Sequence, residues 1–329
     1  MIKKLSIKGF KSLLDNHIEF NYLNILTGLN SSGKSSIIQA LRILNRFSNH
    51  IENPLINGHG DAKELQNPHS STPFIITSEY GDSYKICYSP SEENRLLDST
   101  NKYPELIYIS AERFGSLVSI PLSSDNSLGN KGENVIKCIE LHREDILNDL
   151  LIHPNSEGDN FFYNLRAWLG TITPGVKFDY GIIKEADTSF SLFNEHRAKN
   201  VGFGLSYTLP IIVALFLGSL KNDTVVVLEN PEAHLHPKGQ TELGKLIAAT
   251  AHSGCQVVVE THSDHLFDGV RIYAKYNPGF APKVNINWCK LDKNLNTMVE
   301  SPQLSHNGKL SFWPVGFFDQ FETNSDALI

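Results

Sequence analysis

A glycine-rich segment near the N-terminus contains the residue types that hold phosphate groups in proteins. Gly28-Leu29-Asn30-Ser31-Ser32-Gly33-Lys34-Ser35 matches the pattern G-x-x-x-x-G-K-[ST] in full. Glycines let the backbone curl so that successive N–H groups point at phosphate oxygens, and the lysine reaches the β- and γ-phosphates. We therefore predict that this phosphate loop binds ATP. The predicted contact residues are Gly28, Asn30, Ser31, Ser32, Gly33, Lys34, Ser35 and Ser36.

The segments on either side of the phosphate loop have the patterns that such a loop requires. The apolar run Leu23–Thr27 predicts a strand before the loop, and apolar residues at helical spacing predict a helix over Ser35–Phe47. The positive end of the helix dipole faces the same anion. The Ser35 hydroxyl is a predicted ligand of Mg²⁺. A chance match in a Gly/Ser-rich loop is the alternative, and the flanking strand and helix disfavour it.

A carboxylate at the end of a later apolar strand is the second candidate group. Val225-Val226-Val227-Leu228 is β-branched and apolar, and Glu229 follows it. A buried parallel strand would deliver Glu229 to the carboxyl edge of the sheet, where it would hold Mg²⁺ or its water. Glu232 is the nearest candidate to orient an attacking water. Taken alone, the pattern also fits an ordinary core strand capped by a surface acid.

A histidine follows the next apolar strand along the chain. Val257-Val258-Val259 leads into Glu260-Thr261-His262-Ser263, so His262 is placed to contact a γ-phosphate or the attacking water. A lone histidine is more often structural. The predicted catalytic residues are Lys34, Glu229, Glu232 and His262. A metal site built from neighbouring histidines is conceivable, but we rank it below surface or interface roles. These histidines are His234, His236, His252 and His265.

These segments, in this order, resemble the ABC-type ATPase heads of the RecF, SMC and OLD group. Leu5–Ser12 looks like the opening strand of that group, and Glu229–Pro237 looks like the OLD-type Walker B and D-loop. Asn200–Ser206 is similar to its degenerate signature segment. The tail Trp313–Gln320 is similar to a subfamily of bacterial stand-alone AAA-like ATPases, many of them encoded among phage-defence genes.

The resemblance implies a homodimer that closes head-to-tail around ATP. In such a sandwich each copy would offer its signature segment to the phosphate loop of the other. The implied donors to the γ-phosphate are Gly202, Gly204 and Ser206. The alternative interpretation of these residues is a simple turn before a buried helix.

The sequence departs from the ABC pattern where the catalytic base is expected. ABC enzymes end this strand with Asp and then Glu, whereas this chain has Glu229 and Asn230. An amide is a poor proton acceptor, so we predict slow hydrolysis, or hydrolysis only with a partner. Arg113 is a further candidate to contact nucleotide or the inserted lobe, and a structural salt bridge is the favoured alternative.

The order of predicted elements indicates an α/β fold. Apolar patterns predict helices over Glu133–Leu151, Phe161–Leu169, Ser206–Leu220, Lys238–Ala251 and Asp264–Tyr276, and strands over Val176–Ile183, Thr224–Leu228 and Gln256–Glu260. The alternation of strands and helices after residue 200 is typical of a parallel sheet. Together with this order, the resemblance implies a P-loop NTPase with ABC-ATPase head architecture, in which a mixed N-terminal sheet accompanies a parallel core sheet and an inserted helical lobe. The predicted divisions are a core of residues 1–115 and 200–300, a helical lobe of residues 116–199 and a C-terminal tail of residues 301–329.

Composition narrows the class of protein and its partners. The four cysteines form no C-x-x-C pair, and the longest apolar stretch, Leu209–Leu220, is too short for a bilayer. With no signal-peptide pattern either, we expect a cytoplasmic protein that does not use a membrane. The net charge of −7 repels nucleic acid on average, so DNA would need a local basic patch. The basic N-terminal segment is a weak candidate, because a solvated strand face explains it better.

The function that these patterns favour is an ATP-driven molecular switch. The switch would control a separate effector, such as a nuclease, or a DNA transaction, in anti-phage defence or DNA maintenance. The defence role depends on the resemblance alone. The main alternative is a non-hydrolysing nucleotide sensor or scaffold subunit, which Asn230 keeps open. A transporter ATPase subunit and a small-molecule kinase fit less well.

Overall fold

A computed structural model of the chain describes residues 1–97 and 102–328 in two compact units. Unit 1 comprises Met1–Leu106, Pro282–Ser305 and Lys309–Ile329, and unit 2 comprises Ile107–Ala281 and His306–Gly308. Residues 98–101 of the predicted core and residue 329 of the predicted tail lie outside the described residues. The proposed division into core, lobe and tail stays a prediction.

The regular elements alternate between strands and helices over most of the chain. The strands are β1 Ile2–Phe10, β2 Leu13–Glu19, β3 Leu23–Gly28, β4 Ile75–Tyr80, β5 Tyr84–Tyr88, β6 Glu105–Ile109, β7 Ile120–Pro121, β8 Phe178–Ile183, β9 Thr188–Phe193, β10 His196–Arg197, β11 Thr224–Glu229, β12 Gln256–Glu260, β13 Val284–Leu291 and β14 Thr297–Glu300. The helices are α1 Lys34–Ser48, α2 Val135–His142, α3 Phe161–Ile172, α4 Phe203–Leu220, α5 Pro237–His252, α6 Asp264–Tyr276 and α7 Gln320–Leu328.

Unit 1 contains two groups of strands and the helix that follows the phosphate loop. An antiparallel sheet has the order β2-β1-β4-β5. The other group consists of β3, which runs parallel to β13, and β14, which is antiparallel to β13. Every residue of β3 is buried, as its unbroken apolar pattern predicts for an interior parallel strand. Strand β3 therefore delivers its last residue, Gly28, to the edge where α1 begins.

Unit 2 contains the strands that end in the predicted acidic groups. Strands β11 and β12 are parallel, and their register pairs Glu229 with Glu260. Helices α5 and α6 pack closely, because a Cβ at Gly244 would lie only 2.1 Å from the carbonyl oxygen of Leu266. The predicted parallel arrangement of these strands is confirmed.

The segment of residues 116–199 contains a sheet as well as helices. Helices α2 and α3 are accompanied by antiparallel strands in the order β10-β9-β7, with β8 also paired to β9. The helix expected over Glu133–Leu151 is too long, since α2 ends at His142. Beyond it, the carbonyls of Arg143 and Asp145 accept hydrogen bonds from Phe162 and Phe161, which redirects the chain toward α3.

Helix α4 is apolar on all sides and is mostly buried. It is the one helix of the described residues that is long and apolar enough to cross a membrane, and 67% of it is buried inside the molecule. A core helix of this kind needs no polar face. Its first residue is Phe203, earlier than the predicted start at Ser206, because Gly202 takes an extended conformation and serves as the N-cap.

Candidate nucleotide-binding site

The backbone of the phosphate loop takes conformations that only glycine adopts easily. Gly28 has φ 145° and Gly33 has φ 100°. A Cβ at Gly28 would lie 2.1 Å from the carbonyl oxygen of Cys289, and one at Gly33 would lie 2.2 Å from Thr297 Oγ1. Both glycines of the pattern are therefore required by contacts within unit 1 as well as by the turn itself.

Lys34 is held inside the loop as a buried charge. Its side chain is 3% exposed, and Nζ donates hydrogen bonds to the carbonyls of Leu29 at 2.7 Å and Gly28 at 3.1 Å. A buried ammonium needs such acceptors to replace the water that it loses. The Lys34 ammonium therefore lies against backbone carbonyls of the loop. A phosphate oxygen can replace one of these carbonyls as its hydrogen-bond acceptor.

The remaining groups of the segment are polar side chains and the N-terminus of α1. Ser32 Oγ is buried and has no hydrogen-bond partner among the described residues. Helix α1 begins directly after Gly33, with neither a side-chain cap nor an acidic first turn in the described structure, so its N-terminal N–H groups suit an anion. Asn30, Ser31 and Ser35 are exposed, while Ser36 is buried. The predicted contacts of residues 28–36 thus form one continuous segment of unit 1, made of the loop and the first residues of α1.

The Glu229 carboxylate in unit 2 is oriented by two donors. Its Oε2 accepts hydrogen bonds from the Tyr108 hydroxyl at 2.9 Å and from the backbone N–H of Ala111 at 3.3 Å. Sequence reasoning missed Tyr108, which carries no local signal because it lies in an apolar strand. Glu260 is the register partner of Glu229 and is buried. Glu229 is therefore fixed at the strand end where it was predicted.

Arg113 clamps the turn that follows β11. Its guanidinium donates to the carbonyls of Ser110, Glu229 and Asn230, each at 2.9 Å, and lies over the Tyr207 ring. Burial lowers the pKa of Arg113 to about 10. The favoured structural role agrees with this geometry, but the hydrogen-bonded partners are carbonyl oxygens rather than a carboxylate.

Glu232 and His262 are brought together within unit 2. Glu232 Oε1 accepts a hydrogen bond from the backbone N–H of His262 at 2.9 Å, while the His262 side chain is exposed. Oε2 of Glu232 is buried and has no hydrogen-bond partner among the described residues. Burial raises the pKa of the Glu232 carboxyl. Glu232 therefore ties the turn after β11 to the turn after β12, and its water-orienting role stays a prediction.

The predicted signature residues lie at the N-terminus of α4. A Cβ at Gly202 would meet open space, whereas one at Gly204 would lie 2.6 Å from the carbonyl oxygen of His234. The Ser206 hydroxyl lies 3.2 Å from that of Ser116. Gly204 and Ser206 therefore have partners inside their own chain, which sequence reasoning had not assigned.

The histidines near Glu229 do not assemble into a metal centre. No group of three or more His, Cys, Asp or Glu side chains in the described part of the chain is arranged to hold a metal ion. Instead, His234 packs edge-on against Tyr207, and His252 packs against Tyr273 and Phe280.

Replacing Glu232 by Gln is expected to raise the melting temperature at neutral pH. Burial raises the pKa of Glu232 in the folded state, so the folded state favours the protonated carboxyl. The stability that this carboxyl contributes is therefore fully present below its unfolded-state pKa and is lost as the pH rises through its folded-state pKa. Glutamine keeps an acceptor for the His262 N–H without a buried charge.

Thermal unfolding of both proteins from pH 4 to pH 8 measures this effect. The gain of Glu232→Gln over the unsubstituted chain should grow as the pH rises. The exposed Glu195→Gln should show no such trend. A gain that is equal at pH 4 and pH 8 would contradict the burial argument.

Comparison with protein families assigns the class. Residues 1–166, half of the chain, match the family described as AAA ATPase domain. The chain belongs to this AAA ATPase family. Residues 92–268 of the same AAA ATPase also match a family described as AAA domain, putative AbiEii toxin, Type IV TA system, and residues 283–328 match a family described as a protein of unknown function. No curated protein matches the chain by sequence.

Solved structures similar to this AAA ATPase include SMC head domains. An SMC head bound to the C-winged helix domain of ScpA is 15% identical to this chain, with a TM-score of 0.53. The match covers 92% of this chain and 98% of the SMC head chain. A head with an extended coiled coil bound to the C-terminal domain of ScpA, derived from Pyrococcus furiosus, is 13% identical with a TM-score of 0.50, covering 99% and 98%. The predicted P-loop NTPase fold with ABC-ATPase head architecture is confirmed, and the AAA families point to an ATPase.

Proposed function

We propose that this chain is an ATP-binding, slowly ATP-hydrolysing switch that dimerises and controls a partner. The observation that carries the proposal is the buried Lys34 ammonium within a loop whose two glycines admit no side chain. A cradle of backbone N–H groups with one buried cation is complementary to a triphosphate.

The roles of the individual residues follow from their chemistry. Lys34 and the loop N–H groups would hold the β- and γ-phosphates, while Ser35 and Glu229 would hold Mg²⁺ through oxygen ligands. Bound Mg²⁺ would neutralise phosphate charge. The two donors to Glu229 Oε2 hold the carboxylate in one orientation, which suits a metal ligand. His262 would contact the γ-phosphate or the attacking water.

Slow hydrolysis is proposed because no carboxylate occupies the position after Glu229. Asn230 stands there, and its amide cannot take a proton from water. Glu232, the nearest alternative, has one oxygen bonded to the His262 N–H and its other oxygen buried. A raised pKa makes Glu232 a better proton acceptor than an ordinary carboxylate, which supports residual turnover.

Head-to-tail dimerisation is supported by exposed apolar side chains in the two segments that would meet across copies. Leu29 in the phosphate loop is 66% exposed, and Phe203 at the start of α4 is 59% exposed. Gly202 caps α4 with open space around it, so the first N–H groups of the helix are accessible to an anion. We propose that the signature segment of a second copy covers the loop.

The partner controlled by the switch is proposed to be another protein. The similar SMC heads are bound to domains of ScpA, which supports a protein partner in general. A nuclease effector, DNA binding and a role in phage defence rest on the resemblance noted from the sequence.

The molecular mass of the full chain with and without nucleotide tests the switch. We expect Glu232→Gln, chosen to slow hydrolysis because Glu232 is the proposed water-orienting residue, to double its mass in light scattering with ATP and Mg²⁺ but not with ADP. Phe203→Glu should remain monomeric with ATP, because it places a charge in the proposed contact. The exposed Phe321→Glu, on α7, is the matched control and should still dimerise. A mass that does not respond to ATP would refute the dimer.

A non-hydrolysing nucleotide sensor is the second candidate, and Asn230 is the observation that favours it. Phosphate release separates the two functions. Phosphate release by the unsubstituted chain that is no faster than release by Lys34→Ala, with and without DNA, would favour the sensor. Turnover that is equal in the unsubstituted chain and in a Glu229→Gln, Glu232→Gln double variant would instead refute the catalytic roles of these two residues.

A further inference from the structure

The C-terminal segment that matches a family of unknown function is in direct contact with the phosphate loop. Strands β13 and β14 lie within residues 283–328. Cys289 on β13 is the register partner of Gly28 on β3. Thr297, the first residue of β14, is buried against the loop.

The backbone of Thr297 is fixed from two sides. Its N–H donates to the carbonyl of Ser12 at 2.7 Å, and its own carbonyl accepts from Asn16 Nδ2 at 2.9 Å. Ser12 lies in the turn between β1 and β2, and Asn16 lies within β2. The side chain of Thr297 is therefore presented to the phosphate loop by a rigid support.

The Thr297 hydroxyl bonds to the backbone of the phosphate loop. Its Oγ1 lies 3.0 Å from the carbonyl oxygen of Ser32 and 2.8 Å from Ser12 Oγ. A carbonyl can only accept, so the single Thr297 hydrogen goes to Ser32, and the Ser12 hydroxyl supplies the hydrogen of the other contact. Both hydroxyls are thereby satisfied in a buried environment.

This bond fixes the direction of a loop N–H. The carbonyl of Ser32 and the N–H of Gly33 belong to one peptide plane, and no peptide bond in the described structure is cis. In a trans peptide the two groups point in opposite directions. Holding the Ser32 carbonyl toward Thr297 therefore turns the Gly33 N–H away from β14. The absence of a Cβ at Gly33 lets Thr297 approach this closely.

We propose that Thr297 is a positioning residue that orients the Ser32–Gly33 peptide for phosphate binding, so that the C-terminal segment sets the affinity for ATP. This inference rests on the proposed function, because it assumes that the loop binds a triphosphate. A structural role alone would lower stability without changing affinity, whereas a positioning role changes the affinity of folded protein.

Thr297→Val removes the hydroxyl and keeps the β-branched shape, so the strand is retained. We expect its Kd for a fluorescent ATP analogue, measured well below the melting temperature, to rise about three- to tenfold, the range for one lost hydrogen bond. Thr297→Ser keeps the donor and should stay within about twofold of the unsubstituted chain. Met298→Leu, at the half-exposed next position of β14, is the matched control and should bind normally.

Measuring Lys34→Ala in parallel distinguishes a failure of the positioning role of Thr297 from a failure of the proposed ATP-binding function. Unchanged affinity in Thr297→Val, together with lost binding in Lys34→Ala, would overturn the positioning role and leave the proposed function standing. Normal binding by both variants would overturn the proposed function as well. Weakened binding by both Thr297→Val and Thr297→Ser would show that the hydroxyl is not the group that matters.

Discussion

Lys34→Ala is expected to weaken ATP binding by about 100-fold and to remove turnover. Its ammonium is the buried cation of the loop, and hydrogen bonds to charged groups are stronger than neutral ones. A loss of about 3 kcal/mol corresponds to the 100-fold change in Kd. Turnover falls further, because the same charge would stabilise the phosphate oxygens as the bond to the leaving group breaks.

Titration calorimetry with ATP and Mg²⁺ measures the affinity, and a phosphate-release assay measures turnover. Lys8→Ala is the control, since this exposed lysine lies on β1 of the same unit. The melting temperature of Lys34→Ala without nucleotide should be equal or higher, because a buried charge has been removed. Nucleotide affinity and turnover that both survive in Lys34→Ala would be incompatible with the proposed function.

The phosphate loop and its flanking elements could be predicted because their signals are local. The strand before the loop is an unbroken apolar run, and α1 starts within one residue of its predicted start at Ser35. The same holds for β12, predicted and found at Gln256–Glu260, and for α6, predicted and found at Asp264–Tyr276. In each case the apolar pattern lies within the element itself, and Ser263, directly before α6, is the N-cap of that helix.

Contacts between distant segments could not be predicted. Thr297 is 265 residues away from Ser32, and Tyr108 is 121 residues away from Glu229. Neither residue type marks a phosphate or metal site in the sequence. The exact role of Arg113 was missed for the same reason, since three backbone carbonyls rather than a charged side chain hold it.

The sheet in the inserted segment was underestimated because its strands are short and half-buried. Strand β8 was expected over Val176–Ile183, whereas β9 and the two-residue β7 and β10 carried no separate signal. Burial alternates along β9, as period-two patterning requires, but Asn194 and Glu195 beyond it adopt positive φ in a turn that propensity alone does not identify.

Asn230→Glu is expected to accelerate hydrolysis about 10- to 100-fold. A general base at this position contributes about 100-fold or more to the rate. Part of this gain is lost to backbone strain, because Asn230 has φ 43°, a conformation that asparagine tolerates better than glutamate. The turn itself should survive, since its backbone is held by Arg113 at the Asn230 carbonyl and by Glu260 at the Asn230 N–H.

The decisive comparison is between Asn230→Glu and Asn230→Gln. The glutamine side chain has nearly the same shape as glutamate and causes the same backbone strain, but its amide is no proton acceptor. Single-turnover phosphate release should rise in the Glu variant and stay at or below the unsubstituted rate in the Gln variant. Adding Lys34→Ala to Asn230→Glu should return the rate to background, which assigns the activity to this chain. If the Glu variant turns over no faster than the Gln variant, the missing carboxylate is not what slows the enzyme, and the limit lies in dimer closure or partner binding instead.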